Sequence, residues 1–172
     1  MTAATTSAAT TSAPTMTAVS TGPLLALRGA ILARLAADAT LAGLTGGRFR
    51  LHDEPPRGAS PVYALFGDTT VRADPVDGAS RHLHELALVV VGKPGSTRSA
   101  VEAAARIGDL LADAPLSLTG HALVLLRVQS LSTVRDPRSG EASATLTLAA
   151  VTEALLPEAL SSEALSPEAV PT

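Results

Sequence analysis

The stretch LHDEPPRGASPVY places His52, Asp53, Glu54 and Arg57 within six positions of a chain otherwise rich in Ala, Leu, Thr and Val. An imidazole beside two carboxylates is the material of general acid–base or metal chemistry. A second group follows in RHLHE, where His82 and His84 stand two apart. On a strand that spacing puts both rings on one face, where a metal ion could bridge them, with Glu85 pointing the other way. A third ligand would have to come from a paired strand. The fourth histidine, His121, follows LTG and reads as a polar residue at the start of a strand. His52, Asp53, His82 and His84 together define one candidate reading, a small metal-dependent hydrolase.

Local geometry argues against that reading. Adjacent residues point apart on an extended chain, so Asp53 and Glu54 do not converge on one ligand. Pro55 and Pro56 force an extended path and remove two backbone donors, which steers a chain into a strand. His52, Asp53, Glu54 and Arg57 therefore read as surface or inter-subunit charges. GKPGST, from Gly92, has the composition of a phosphate loop but the wrong order: it lacks four residues between its glycines and a Gly-Lys-Ser/Thr ending. No Gly-x-Ser-x-Gly elbow is present. The absence of cysteine excludes a disulfide framework, thiolate metal sites and a Cys nucleophile. The expectation is no catalytic residue, no metal and no cofactor.

The elements that carry these residues follow from periodicity. The chain has 172 residues, 46% hydrophobic and only 2% aromatic, so one core of Leu, Val, Ile and Ala is expected. The formal charge of −3 provides no general drive toward nucleic acid or an anionic membrane. No apolar run approaches the roughly 18 residues that span a bilayer, and no basic-then-apolar leader opens the chain. A soluble intracellular protein is the expectation. Basic residues are nearly all Arg, Lys93 being the single Lys, which reads as genome composition.

Residues 1–22 are Thr, Ala and Ser without an apolar period and read as a disordered arm. Met1 and Met16 both open MTA, so Met16 is a candidate physiological start. From Glu153 the chain repeats EALLP EALSS EALSP EAVPT, a period of five that matches neither helix nor strand. Residues 154–172 read as a low-complexity tail, and residues 23–153 as the folded domain.

Within that domain Pro23 suits a first helical turn, with Leu24, Leu27, Ile31 and Leu35 on one face and Gly46-Gly47 at the end. Pro61 to Thr70 is a strand candidate. HELALVVVG, from His84, is apolar on both faces and reads as an interior strand. Ser99 with Glu102 offers a capping box for a second helix to about Asp113, buried through Ala100, Ala104, Ile107 and Leu111. HALVLLRVQSLSTVRD is a long strand, DPRSG a turn, and EASATLTLAAVTE alternates with Ala144, Leu146, Leu148 and Ala150 on one face and Ser143, Thr145 and Thr147 on the other. The expected fold is α+β in the order α-β-β-α-β-β: an antiparallel four-stranded sheet with two helices packed on one face and the other face half polar. TTVRADPVDGASRHLH, Thr69 to His84, reads as a long polar loop charged with both signs, suited to subunit recognition.

These pieces, in this order, resemble the phage tail-completion proteins, the tail terminators of siphovirus-like tails and gene-transfer-agent particles. The resemblance covers roughly Leu24 to Glu153. It rests on LLALRGAILARLAADATLAGLTGGRF, PPRGASPVYALFGDT, HELALVVVG, LLADAPLSLTGHALVLLRV and STVRDPRSGEASATLTLAAVTE. It excludes the Thr/Ala-rich arm and the Glu-Ala-Leu tail, which are not parts of the pattern. The resemblance implies a structural virion protein that forms a ring of six copies, caps the tail tube, ends its polymerisation and joins tail to head. Its implied partners are itself, the tail tube protein and a neck or stopper protein, with DNA met only in passage through the lumen and no membrane. Another head–tail connector component is the neighbouring alternative. Arg72, Asp74, Asp77, Arg81, His82, Arg135 and Arg138 are the candidate subunit or partner contacts. The implied location is the particle tail, after assembly in the bacterial cytoplasm.

Overall fold

The computed structural model describes residues 21–58 and 62–155. The Met16 start, nearly all of the N-terminal arm and nearly all of the Glu-Ala-Leu tail lie outside the described residues.

The first helix, α1 (Pro23–Ala36), opens on Pro23 and buries Ala26, Leu27, Ile31 and Leu35 along one face. A second helix follows, α2 (Ala39–Leu44). Asp38 starts it: its Oδ1 accepts the Leu41 backbone N–H at 2.7 Å, which satisfies one of the free donors of the first turn. Gly46, at φ 77°, ends it, and the Gly47 N–H returns to the Ala42 carbonyl at 2.8 Å. One short strand and a hairpin come next: β1 (Leu51–His52), then β2 (Tyr63–Ala73) and β3 (Arg81–Val91). The third helix, α3 (Thr97–Leu111), leads to the second hairpin, β4 (His121–Arg135) and β5 (Ala142–Ala154).

The sheet has five strands in the order β1-β2-β3-β5-β4. β1 pairs parallel with β2, Leu51 beside Ala64 and His52 beside Leu65, and the remaining pairs are antiparallel. The fold is therefore α+β with three helices and a mixed five-stranded sheet, which corrects the expected four-stranded antiparallel sheet with two helices. Both corrections have a local cause. The apolar positions Leu41 and Leu44 continue the helical pattern, but Asp38 caps a new helix rather than letting the first one run on. Leu51–His52 is too short to show a period of two, and it pairs because buried Phe49 and half-buried Leu51 anchor it beside β2.

The Thr69-to-His84 stretch is corrected too. β2 reaches Ala73 and β3 begins at Arg81, so the connection is only residues 74–80. Within it Val76 and Ala79 bridge around Asp77 (φ 47°) and Gly78 (φ 83°). Two positive φ values in succession make the tight hairpin turn that Asp-Gly favours. The strand arm is polar because residues 70–73 of β2 are exposed, so no apolar alternation marks it.

The core lies between one sheet face and the helices. Leu86, Leu88 and Val90 of β3 and Ala144, Leu146, Leu148 and Ala150 of β5 are buried there against Ile31, Leu35, Ala104, Ile107 and Leu111. The alternation expected for β5 and for the second helix face is what the structure shows. The cap of α3 differs: Ser96 is the N-cap, and its Oγ accepts the Ser99 N–H at 3.4 Å. Ser99 Oγ instead accepts the Lys93 N–H at 2.9 Å, and Glu102 pairs with Arg98 at 2.6 Å. No described helix is long and apolar enough to cross a membrane.

Candidate functional site

The histidines that invited a metal reading are held by three strands. His82 and His84 share the core-facing side of β3, their ring centroids 6.4 Å apart and tilted by 42°. His84 is only 3% exposed, and its Nε2 lies 2.8 Å from Thr152 Oγ1 on β5. Burial pushes the His84 imidazole below its ordinary value, and the neighbouring His82 and His121 push it the same way. His121, at the start of β4, is buried, and its Nε2 donates to the Thr21 carbonyl at 3.0 Å. That bond assigns the proton to Nε2 and leaves Nδ1 buried without a partner. The cluster thus gathers three imidazoles at one corner, of which His84 is biased toward its neutral form by burial. Among the described residues no group of three or more His, Cys, Asp or Glu is placed to hold a metal ion.

His52 does not join them. It stands in β1 beside Leu65, which pairs with Val89 near the far end of β3 from His82 and His84. Asp53 is 81% exposed and meets Arg28 of α1 at 3.4 Å, while the Arg28 guanidinium lies 4.0 Å over the Phe66 ring. Glu54 and Arg57 are exposed. The four residues of the hydrolase reading therefore fall at two separate places, His52 with Asp53 at one and His82 with His84 at the other.

The candidate contact residues fall into two sets at opposite ends of the sheet. Asp74 and Asp77 lie in the tip of the β2–β3 hairpin, Arg72 and Arg81 on the strands that lead into it, and His82 next to them on the core-facing side of β3. Arg135 and Arg138 occupy the β4–β5 turn, beyond the pair Arg135–Ala142. In the first set Arg81 is joined to Asp74 Oδ2 by Nη2 at 2.5 Å and Nε at 3.1 Å, which ties the hairpin neck together. Arg72 is exposed on the outer sheet face beside Leu83. In the second set Arg135 donates to Thr97 Oγ1 at 2.7 Å and so fastens the hairpin to the start of α3. Asp136 forms the turn by accepting the Arg138 N–H at 2.7 Å, and this bond, with those from Ser139, holds its carboxyl below the usual range. Arg138 projects from the turn, exposed.

Two features escape a reading of residue types. Arg106 of α3 grips Asp38 with Nη2–Oδ2 at 2.5 Å and Nε–Oδ1 at 3.2 Å, a two-point bond between the cap of α2 and the middle of α3. The signal for the cap was DATLAGL itself, an N-cap residue before an apolar helical pattern. The other feature is the outer margin of the sheet. β4 is an edge strand, exposed from residue 129 to 135, and β2 beyond its pairing with β1 forms part of the opposite edge. In the 74–80 connection the Asp77-Gly78 dipeptide was the overlooked hairpin signal.

The described residues thus form a small mixed sheet covered by helices on one face, with charged turns at both ends. The family described as Tail completion protein gp17 matches residues 29–153, and the chain belongs to it. This family is one of structural, non-catalytic tail proteins, and the chain is accordingly not an enzyme. Among solved structures, a chain from the "Virion of native gene transfer agent (GTA) particle" is 26% identical, with a TM-score of 0.69, covering 76% of this chain and 96% of that one. A second solved chain is 21% identical with a TM-score of 0.41, covering 78% of this chain and 96% of its own. No curated protein matches.

Proposed function

We propose that the protein is a tail terminator: a ring subunit that caps the tail tube, ends its polymerisation and joins the tail to the head. The observation that carries this reading is the family match over residues 29–153, strengthened by the likeness to a chain of a gene-transfer-agent virion. The partners in this reading are five further copies of the chain, the tube protein on one side and a neck or stopper protein on the other. DNA is met only in passage, which a chain of net charge −3 does not retain strongly. The place of action is the particle tail, after assembly in the cytoplasm.

The architecture supports the reading. A sheet whose two edges differ can associate head to tail, and such an interface closes into a ring when the rotation divides evenly. The β2–β3 hairpin with Arg72, Asp74, Asp77, Arg81 and His82 and the turn with Arg135 and Arg138 lie at the sheet's two ends. In this proposal they meet the tube and the neck. Light scattering after size exclusion, followed by negative-stain images of the full chain with and without tube protein, tests it. Rings alone or on tube ends are expected. A monomer at every concentration that also leaves tube ends uncapped overturns the reading.

A further inference from the structure

We infer that the groove between α3 and β4 receives the α1–β1 margin of a second copy of this chain. The inference rests on the ring reading and assigns it an interface. α3 packs on β5 and on the near half of β4, where Leu126 is buried, but β4 is exposed from residue 129 onward. There a groove of about 280 Å³ runs between Ala105, Gly108 and Asp109 of α3 and Val128 and Leu131 of β4. Leu131 is 42% exposed and Val124, further along the same strand, 54%. Large apolar side chains left open on an edge strand are what a neighbour covers. Gly108 adds an independent sign. It sits in the last turn of α3, its carbonyl accepting the Ala112 N–H, in a helix where glycine is less favourable than alanine by up to about 1 kcal/mol. A Cβ there would meet nothing nearer than Leu146 Cδ1 at 3.8 Å. The fold does not require the missing side chain there, and Gly108 lines the groove together with Leu146 and Leu131.

The opposite margin has the complementary make-up. Leu32 of α1, 37% exposed, stands over a hollow floored by Phe49 and Leu51 and flanked by Arg48 and Arg50. Neither arginine forms an ion pair among the described residues, whereas Asp109 rims the receiving groove and Asp113 follows α3. Apolar ridge meets apolar groove, and basic flank meets acidic rim. The heights agree as well. Leu131 is level with Leu146, Leu88 and Phe66 across the sheet, and Phe66 is two residues from Ala64, the partner of Leu51. Rotation about an axis along the strands preserves height, so the two margins meet in register. Irregular pairing at Leu123/Leu125 and Val128/Ser130 interrupts the regular edge of β4, which favours side-chain docking over continuous strand addition.

The chain has no cysteine, so paired cysteines report contacts cleanly. In the full chain, Leu32→Cys with Leu131→Cys is treated with a short bismaleimide at high concentration and resolved on a denaturing gel. A ladder beyond the dimer is expected, and Leu131→Cys alone should give no dimer. Adding Gly108→Leu to the pair should abolish the ladder while leaving the melting temperature of the dilute, unassociated chain unchanged or raised. Three outcomes overturn the inference while sparing the ring: a ladder that survives Gly108→Leu, dimers from Leu131→Cys alone, or a ladder obtained only from Arg72→Cys with Arg138→Cys. No ladder from either pair, with no rings on tube ends, overturns both.

Discussion

His84 shows how a residue suited to catalysis is used for packing. Its ring fills the core-facing side of β3 and bonds Thr152 instead of a ligand. Because burial lowers its pKa from the ordinary 6.5, the unfolded chain takes up a proton before the folded one does. The stability tied to His84 is therefore fully present above pH 6.5 and is lost as pH falls from there toward the lower folded value. His82 and His121 face the same corner and push the His84 imidazole in the same direction as burial does. The melting temperature is expected to be lower at pH 5.5 than at pH 7.5, with a smaller drop in His84→Gln; equal drops would refute the assignment. Gly92 makes the opposite kind of demand. A Cβ there would stand 2.8 Å from the Ser96 carbonyl oxygen and 3.0 Å from Ala100 Cβ. Gly92→Ala should destabilise by about 1–3 kcal/mol in chemical denaturation, the range for forcing atoms into a packed site.

At the scale of elements, α2 and α3 are held together by Asp38, which caps one and grips Arg106 of the other. Arg106 and the Leu41 N–H hold the Asp38 carboxyl below its ordinary value, so this contribution is present at neutral pH and lost as pH falls below 3.8. Asp38→Asn retains an oxygen for the cap but removes the charge, and Asp38→Ala removes both. Thermal denaturation should rank wild type above Asn and Asn above Ala; an Ala variant as stable as wild type would show that the junction is inert. β5 is an interior strand between β3 and β4, and Leu146 is 1% exposed on its helix-covered face. Leu146→Ala is expected to cost about 2–5 kcal/mol, the range for emptying a buried leucine site.

For the whole molecule, association is a stability term. Subunits that bind one another in the native state and not when unfolded gain stability by mass action. If the chain forms rings, its melting temperature rises with protein concentration, and Gly108→Leu flattens that rise. A melting temperature unchanged over a hundredfold range of concentration would mean that the free chain does not self-associate. The two ends of the sheet make a separable prediction. Arg138→Glu, on an exposed turn, should leave the ring intact and weaken capture by tube or neck protein in a pull-down.

The sequence by itself determined the buried faces of α1 and α3, the alternation of β5, the DPRSG turn, and the order of pieces that marks the tail-completion family. Each is legible because it is a property of a short window: an apolar period, a cap or a turn dipeptide read against its neighbours. Only the tertiary structure decided that β5 inserts between β3 and β4, that Leu51–His52 adds a parallel strand, and that the polar Thr69–His84 stretch continues two strands. Strand partners are chosen by long-range packing, and a two-residue strand or an arm wet on both faces carries no period to betray it. The same reason hid the α3–β4 groove and separated His82 and His84 from His52 and Asp53. Which side chains share a corner depends on register across several strands, and no spacing along the chain encodes that.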